Sequence, residues 1–338
     1  MSIISPDHIK KVAASELEEV LKNIIIRDRK YNKTYYEKSR KQYRDSLNLS
    51  EVGPNPISAF PSTVNIELVN KCNYKCEMCY TVNHMGDSVH LELEDIYKII
   101  DQCANNRLMT FFIGNGSEPT VYPQLLKVVE YACLRIPDVV LFTNGSRLTK
   151  DLSEQLINLG ISRINISLDA ASKESYLKIR KKSNLEVVEK NIHDLVALKN
   201  KHSRPLVRVS FCSQPDNKHE KSRFIEKWKN VVDSVEIQNL HIFKNMNKLQ
   251  IINDFHEQKM INNDIYCYSP FSYLAIWSNG DISPCCTFHG QKLIIGNIHH
   301  NTLKDSWKSK YMTNLRNQFY NKRINSVCND CLCETKCH

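Results

Sequence analysis

The stretch Thr63-Val64-Asn65-Ile66-Glu67-Leu68-Val69 reads as a strand, and it runs almost directly into Cys72-Asn73-Tyr74-Lys75-Cys76-Glu77-Met78-Cys79. Outward from it, strand-like and helix-like segments alternate. Met109–Ile113, Val139–Phe142, Arg163–Leu168, Leu206–Cys212 and Val235–Gln238 carry strand patterns. Leu91–Asn105, Tyr122–Arg135, Asp151–Leu159, Leu185–Lys199 and Lys221–Val232 carry helical ones between them. Strands separated by single helices imply parallel βαβ units. Six such strands predict an α/β fold, a partial (β/α)6 barrel left open, with active loops at the carboxyl ends of its strands.

The barrel is expected over residues 61–245, between two segments of different character. Residues 1–60 read as a helical extension: Ile9, Val12, Leu17, Val20, Leu21 and Ile24 recur at helical spacing. Eight basic residues face two acidic ones from Arg27 to Arg44, interleaved with tyrosines, as a solvated face or an arm for an anionic partner. Gly53-Pro54-Asn55-Pro56 breaks regularity and marks a boundary. Residues 246–338 form a small cysteine-rich domain. Tyr273–Trp277 and Asp281–Ser283 predict a hairpin around Ser278-Asn279-Gly280, and Leu303–Asn321 a helix. Such a segment is too poor in apolar residues to fold without metal.

Composition narrows the function classes. Of 338 residues, 41% are hydrophobic and 25% charged, which suits a chain that buries a core. No run approaches the ~20 apolar residues that span a bilayer, and the N-terminus lacks the apolar region of a secretion signal. The expectation is a cytoplasmic protein with no membrane and no nucleic-acid partner, since a net charge of +9 over this length is modest. Thirteen cysteines in a reducing compartment point to metal binding or catalysis rather than disulfides.

Cys72, Cys76 and Cys79 are the first cysteine group. Three thiolates on a short loop can hold three irons of a [4Fe–4S] cubane and leave the fourth without a protein ligand. An open metal position marks a reactive site. A zinc knuckle is the alternative, although three cysteines without an adjacent histidine suit tetrahedral zinc poorly.

This C-x3-C-x2-C loop after a first strand resembles the radical S-adenosylmethionine (SAM) superfamily, over about residues 62–240. The resemblance implies a [4Fe–4S] cluster whose open iron binds SAM, and a 5′-deoxyadenosyl radical that removes hydrogen from substrate. It places Met78 and Tyr80 near the adenine, although the position before the third cysteine is commonly aromatic and here is Met78. Gly114-Asn115-Gly116-Ser117-Glu118-Pro119 is similar to the family's glycine-glycine-glutamate motif, which implies that Gly116, Ser117 and Glu118 meet the methionyl ammonium. Thr143-Asn144-Gly145 ends the next strand, and Asn144 joins the expected cofactor contacts. Alternation puts Asn165, Ser167 and Asp169 on one strand face. In the family that serine contacts SAM, and a downstream arginine, here Arg180, pairs with its carboxylate. Arg208, Ser210 and Cys212 share a face of the fifth strand. A Cys212 thiol there could return hydrogen to a substrate radical; a buried filler is the plainer reading.

The second group resembles the auxiliary-cluster domains called SPASM and twitch. Cys267 is followed by twelve residues, Gly280, four residues and Cys285, and then by Cys328-Asn329-Asp330-Cys331. The resemblance implies one auxiliary [4Fe–4S] cluster on Cys267, Cys285, Cys328 and Cys331. Five residues separate Cys331 from Cys337, which could replace a ligand in a SPASM-like arrangement. The rest of the full pattern is not seen, so one auxiliary cluster is expected rather than two, and Cys286, Cys333 and Cys337 stay unassigned. Four thiolates alone also suit zinc.

The expectation is therefore a SAM-dependent radical oxidoreductase that dehydrogenates a small molecule, a sugar or aminocyclitol, with the auxiliary cluster as electron acceptor. A flavodoxin or ferredoxin would supply the electron. The alternatives are a maturase of a ribosomally made peptide, a Cys212-assisted epimerase, and a non-catalytic zinc-binding protein.

Overall fold

The computed structural model describes residues 59–80, 88–199, 204–240, 258–260, 267 and 269–336. The N-terminal extension up to residue 58 and Cys337 lie outside the described residues, as does the side chain of Cys333.

Six parallel strands stand in chain order: β1 (Thr63–Ile66), β3 (Thr110–Ile113), β4 (Asp138–Thr143), β5 (Arg163–Ser167), β7 (Leu206–Ser213) and β8 (Ser234–Asn239). The connections carry α1 (Leu93–Asn105), α2 (Leu125–Cys133), α3 (Lys150–Asn158), α4 (Lys173–Ile179), α5 (Leu185–Lys199) and α6 (Lys221–Trp228). β1 and β8 are not hydrogen-bonded to each other, so the sheet stays open as the alternation predicted.

Strand alternation decides the two faces. Val64 and Ile66, Phe111 and Ile113, Ile164 and Ile166, and Val207, Val209 and Phe211 join one core with the helical residues Ile96, Ile100, Val129, Leu156, Ile192 and Trp228. Each such buried side chain contributes about 1.5–3 kcal/mol. The opposite face presents Asn65, Phe112, Asn165, Arg208, Ser210 and Cys212. It is the polar interior expected for the barrel.

Two features depart from the sequence pattern. The hairpin of β10 (Tyr273–Ile276) and β11 (Asp281–Ser283) forms as expected, but β10 lies parallel to β1, Thr63 opposite Tyr273. The C-terminal segment therefore extends the barrel's own sheet, ending in β12 (Gly296–Asn297). The helix expected over Leu303–Asn321 divides into α8 (Leu303–Trp307) and α9 (Lys310–Tyr320). The break comes at Ser309, whose hydroxyl caps α9 by accepting from the Met312 N–H at 3.2 Å.

Short elements complete the frame: β2 (Lys75–Cys76) pairs with β6 (Arg180–Lys181), and β9 (Gln258–Met260) with β13 (Arg323–Asn325). The one-turn α7 (Ser269–Ser272) precedes β10, and α10 (Ser326–Lys336) carries Cys328 and Cys331.

Candidate active site

The cysteine loop leaves β1 and crosses the carboxyl ends of the strands. Cys76 sits in β2 opposite Arg180 of β6, so a two-residue ribbon holds the middle of the loop. Cys72 Sγ accepts from the Tyr74 N–H at 3.4 Å and from Asn144 Nδ2 at 3.9 Å. Asn144 also donates to Asn73 Oδ1 at 2.9 Å, and Asn73 in turn donates to Ser146 Oγ at 2.8 Å. The loop after β4 thus braces the cysteine loop. Burial first, then the neighbouring Glu118, Cys76 and Cys79, push the Cys72 thiol up to about 12.

The loop after β3 comes within reach of this one. A Cβ on Gly114 would lie 2.6 Å from the Phe142 carbonyl oxygen, so only glycine lets the backbone pass. Glu118 is buried, and its carboxylate is occupied. It accepts from the Thr120 N–H at 3.1 Å, Thr120 Oγ1 at 2.6 Å, Thr143 Oγ1 at 2.7 Å and the Asn144 N–H at 2.7 Å. In this geometry Glu118 ties the β3 and β4 loops together. Asn115 Nδ2 and Ser117 Oγ beside it are buried without a hydrogen-bond partner, as are Asn65 Oδ1, Asn165 Oδ1 and Gln214 Nε2. Orphaned polar atoms gathered around strand ends call for a polar ligand.

Arg180 is buried and bound to Asp169 rather than free for a ligand. Its Nε and Nη2 donate to Asp169 Oδ2 at 3.0 and 2.5 Å. Burial alone would lower the guanidinium; Asp169 and Cys76 more than reverse this, so the charge stays. Asp169 has left-handed backbone, φ 63°, and its Oδ1 takes the Cys212 N–H at 2.7 Å. Ser167 is half-buried on β5 opposite Ser210 of β7. Cys212 stands on the interior face, its thiol pushed up to about 12 by burial and by Asp169.

The auxiliary group converges. Cys267, Cys285, Cys286, Cys328 and Cys331 line one cavity of about 120 Å³, walled by Leu315, Phe319 and Val327. Burial and the nearness of Cys267, Cys285 and Cys331 hold the Cys328 thiol well above its usual range. Gly290 leaves room here: a Cβ on it would fall 2.6 Å from Cys285 Sγ. Asn325 Nδ2 donates to Cys328 Sγ at 3.5 Å, and Thr287 Oγ1 lies 3.5 Å from Cys285 Sγ. Donors aimed at sulfur are what iron–sulfur ligands use to set potential. Both thiol sets therefore fit a cluster. Among the described residues no three Cys, His, Asp or Glu side chains surround one ion position; a cubane instead takes each thiolate at a separate iron.

The family models agree with this reading. One for the radical SAM superfamily matches residues 66–207, and one for SPASM, an iron–sulfur cluster-binding domain, matches residues 267–332. The chain carries a radical SAM domain followed by a SPASM domain. The two domains imply a SAM-binding [4Fe–4S] cluster, an auxiliary cluster and SAM itself. Probable GTP 3′,8-cyclase of Saccharolobus islandicus is 29% identical over 211 residues, 60% of this chain and 67% of the relative. The structure of BtrN with AdoMet and 2-DOIA superposes with a TM-score of 0.50 at 15% identity, covering 81% of this chain and 92% of BtrN. SuiB of Streptococcus suis bound to S-adenosylmethionine gives 0.61 at 18% identity, covering 91% and 78%. At these identities the two structures speak for the fold.

Two residues take a place here that the sequence reading had not given them. Glu67 follows β1 on the polar face, and its Oε2 accepts from the Ser278 N–H at 3.1 Å and the Ser278 hydroxyl at 2.7 Å. Burial pushes its carboxyl up to about 7, against the lowering by Ser278. Its signal was an acid in step with Asn65 in an apolar strand. Cys286 is the other. Tyr80, beside Cys79, donates its hydroxyl to the Cys286 carbonyl at 3.1 Å and packs on Phe288 at 5.8 Å. Among the described residues no helix is long and apolar enough to cross a membrane.

Proposed function

We infer that this radical SAM enzyme oxidises an alcohol carbon of a small hydroxylated molecule, of the sugar or aminocyclitol class. The observation that carries the reading is the cysteine-lined cavity built beside β10, the strand that pairs with β1. Tyr80, beside Cys79, reaches the Cys286 backbone of that cavity, which supports an electron acceptor close to the cysteine loop. Bound at Cys72, Cys76 and Cys79, a [4Fe–4S] cluster with SAM supplies hydrogen-atom abstraction by a 5′-deoxyadenosyl radical. Completing C–OH to C=O then requires the loss of one electron and one proton.

The chain's own residues divide the remaining work. Cys267, Cys285, Cys328 and Cys331 would hold the auxiliary cluster that accepts the electron. Glu67, near neutrality at about 7, is the proton acceptor on the polar face. Gly116, Ser117 and Asn144 stand where the loops after β3 and β4 meet the cysteine loop, and with Met78 and Ser167 they would hold SAM. Asp169 fixes Arg180 at the edge of this group. Arg208 and Glu236, paired at 3.1 Å across β7 and β8, give the interior a polar floor that hydroxyl groups can bind. The BtrN complex with 2-DOIA lends this class a precedent on the same fold.

One observation favours a second outcome at the same site. Cys212 presents a protonated thiol to the interior, the hydrogen donor that epimerisation requires. Mass spectrometry after anaerobic turnover with candidate polyols separates the two. Loss of two hydrogens supports oxidation; solvent deuterium uptake without net mass loss supports epimerisation. Turnover of a peptide alone would overturn both.

A further inference from the structure

The ribbon of β2 and β6 carries its like charges on the outside. Cys76 and Arg180 are opposite one another, and the neighbouring pair is Lys75 opposite Lys181. Arg180 is buried and neutralised by Asp169, whereas Lys75, Lys181 and Lys182 are exposed. Lys178, at the end of α4, is exposed beside them and close enough to feel Glu77. The described carboxylates near these four lysines are Glu77, 3.3 Å from Lys181, Asp216, paired with Lys178, and Glu174, one turn before Lys178 on α4. Among the described residues no carboxylate is paired with Lys75 or Lys182, and Lys71 adds another exposed lysine just before Cys72.

Like charges directly opposite across a ribbon are destabilising. Here they stand on the outer side of the strand that contributes Cys76. We propose that this lysine ribbon is the docking surface for a small acidic one-electron carrier protein of the flavodoxin class. The inference rests on the cluster assignment above. Such a partner relieves the repulsion, and its many carboxylates act through the summed field rather than through single surface pairs. Nucleic acid fits less well: Tyr74, the aromatic residue nearest Lys75, is buried and offers no stacking face. The transfer balances simply. One electron leaves the carrier, whose flavin is oxidised by one equivalent, and the cluster at Cys76 is reduced by one, with no bond made or broken in this chain.

The test uses the reconstituted holoenzyme, wild type and Lys75→Glu/Lys181→Glu. The double reversal keeps a like-charged cross-strand pair while inverting its sign. Binding of oxidised flavodoxin is measured by calorimetry at two salt concentrations, and 5′-deoxyadenosine formation is followed with flavodoxin or dithionite as reductant. The expected result is salt-weakened binding to wild type and at least about tenfold weaker binding to the variant, with dithionite-driven cleavage unchanged. Should the variant lose the dithionite reaction too, Lys75→Gln/Lys181→Gln decides by the same contrast. Equal binding by wild type and variant, or no binding by wild type at low salt, overturns the proposal. Absence of dithionite-driven cleavage in wild type instead overturns the cluster assignment, and the binding measurement still reads the docking surface.

Discussion

The guanidinium of Arg180 grips Oδ2 of Asp169 from two nitrogens, at 3.0 and 2.5 Å, in a buried pair that also anchors the backbone of Cys212. Removing one partner of such a pair strands a charge. Asp169→Asn keeps the acceptor for the Cys212 N–H and tolerates the left-handed backbone, yet leaves Arg180 unpaired. It is expected to destabilise the apoprotein by about 3–5 kcal/mol, read by urea unfolding. A double variant, Asp169→Asn/Arg180→Met, should recover much of that loss. Equal destabilisation by both would show that the ion pair is not the source.

Glu118 makes a similar claim on the loops after β3 and β4. Its four donors all point hydrogens at carboxylate oxygens. Glu118→Gln substitutes an N–H2 for one of those oxygens and sets donor against donor. The cost should be about 1–3 kcal/mol in thermal or urea unfolding, with weaker SAM retention on equilibrium dialysis. A variant as stable as wild type would free Glu118 for the ligand alone.

Glu67 predicts a pH dependence whose sign is fixed. Its carboxyl titrates near 7 in the folded chain, against about 4.3 unfolded. The native state holds the proton more tightly, so this stabilisation is full below the unfolded value and is lost as pH rises through 7. The full swing is up to about 4 kcal/mol. Urea unfolding at pH 5 and pH 8 should show a larger drop for wild type than for Glu67→Gln. Parallel losses would remove the assignment.

Tyr80→Phe keeps the ring against Phe288 and deletes the hydroxyl that reaches the Cys286 carbonyl. Losing that bond should cost about 1 kcal/mol in unfolding. Dithionite-driven 5′-deoxyadenosine formation should survive. An unchanged unfolding curve would mean that the link between the two cysteine loops carries no energy.

Much of this frame was legible in the sequence because it is local. The βαβ alternation, the spacing of Cys72, Cys76 and Cys79, and the inward step of Asn165, Arg208 and Cys212 each lie within one or two elements. What escaped was long-range or very short. β2 and β6 have two residues each, too few to show a period, so the Cys76–Arg180 opposition was invisible. β10 joins β1 across some two hundred residues, which only tertiary pairing reveals. Asp169 read as one more polar residue on a strand face, because nothing in its neighbours announces that it turns left-handed and meets Arg180. Glu118 read as a ligand contact, whereas its buried carboxylate first satisfies the backbone and hydroxyl donors around it.

The central claim is that Cys72, Cys76 and Cys79 hold a cubane with one iron open to SAM. Electron paramagnetic resonance of the anaerobically reconstituted, dithionite-reduced protein tests it most directly, in the Cys267→Ala/Cys285→Ala background that removes the auxiliary signal. The account predicts a reduced [4Fe–4S] spectrum that shifts on adding SAM and vanishes in Cys76→Ala. A spectrum indifferent to SAM, or a protein that takes up zinc and no iron at these thiols, would contradict it.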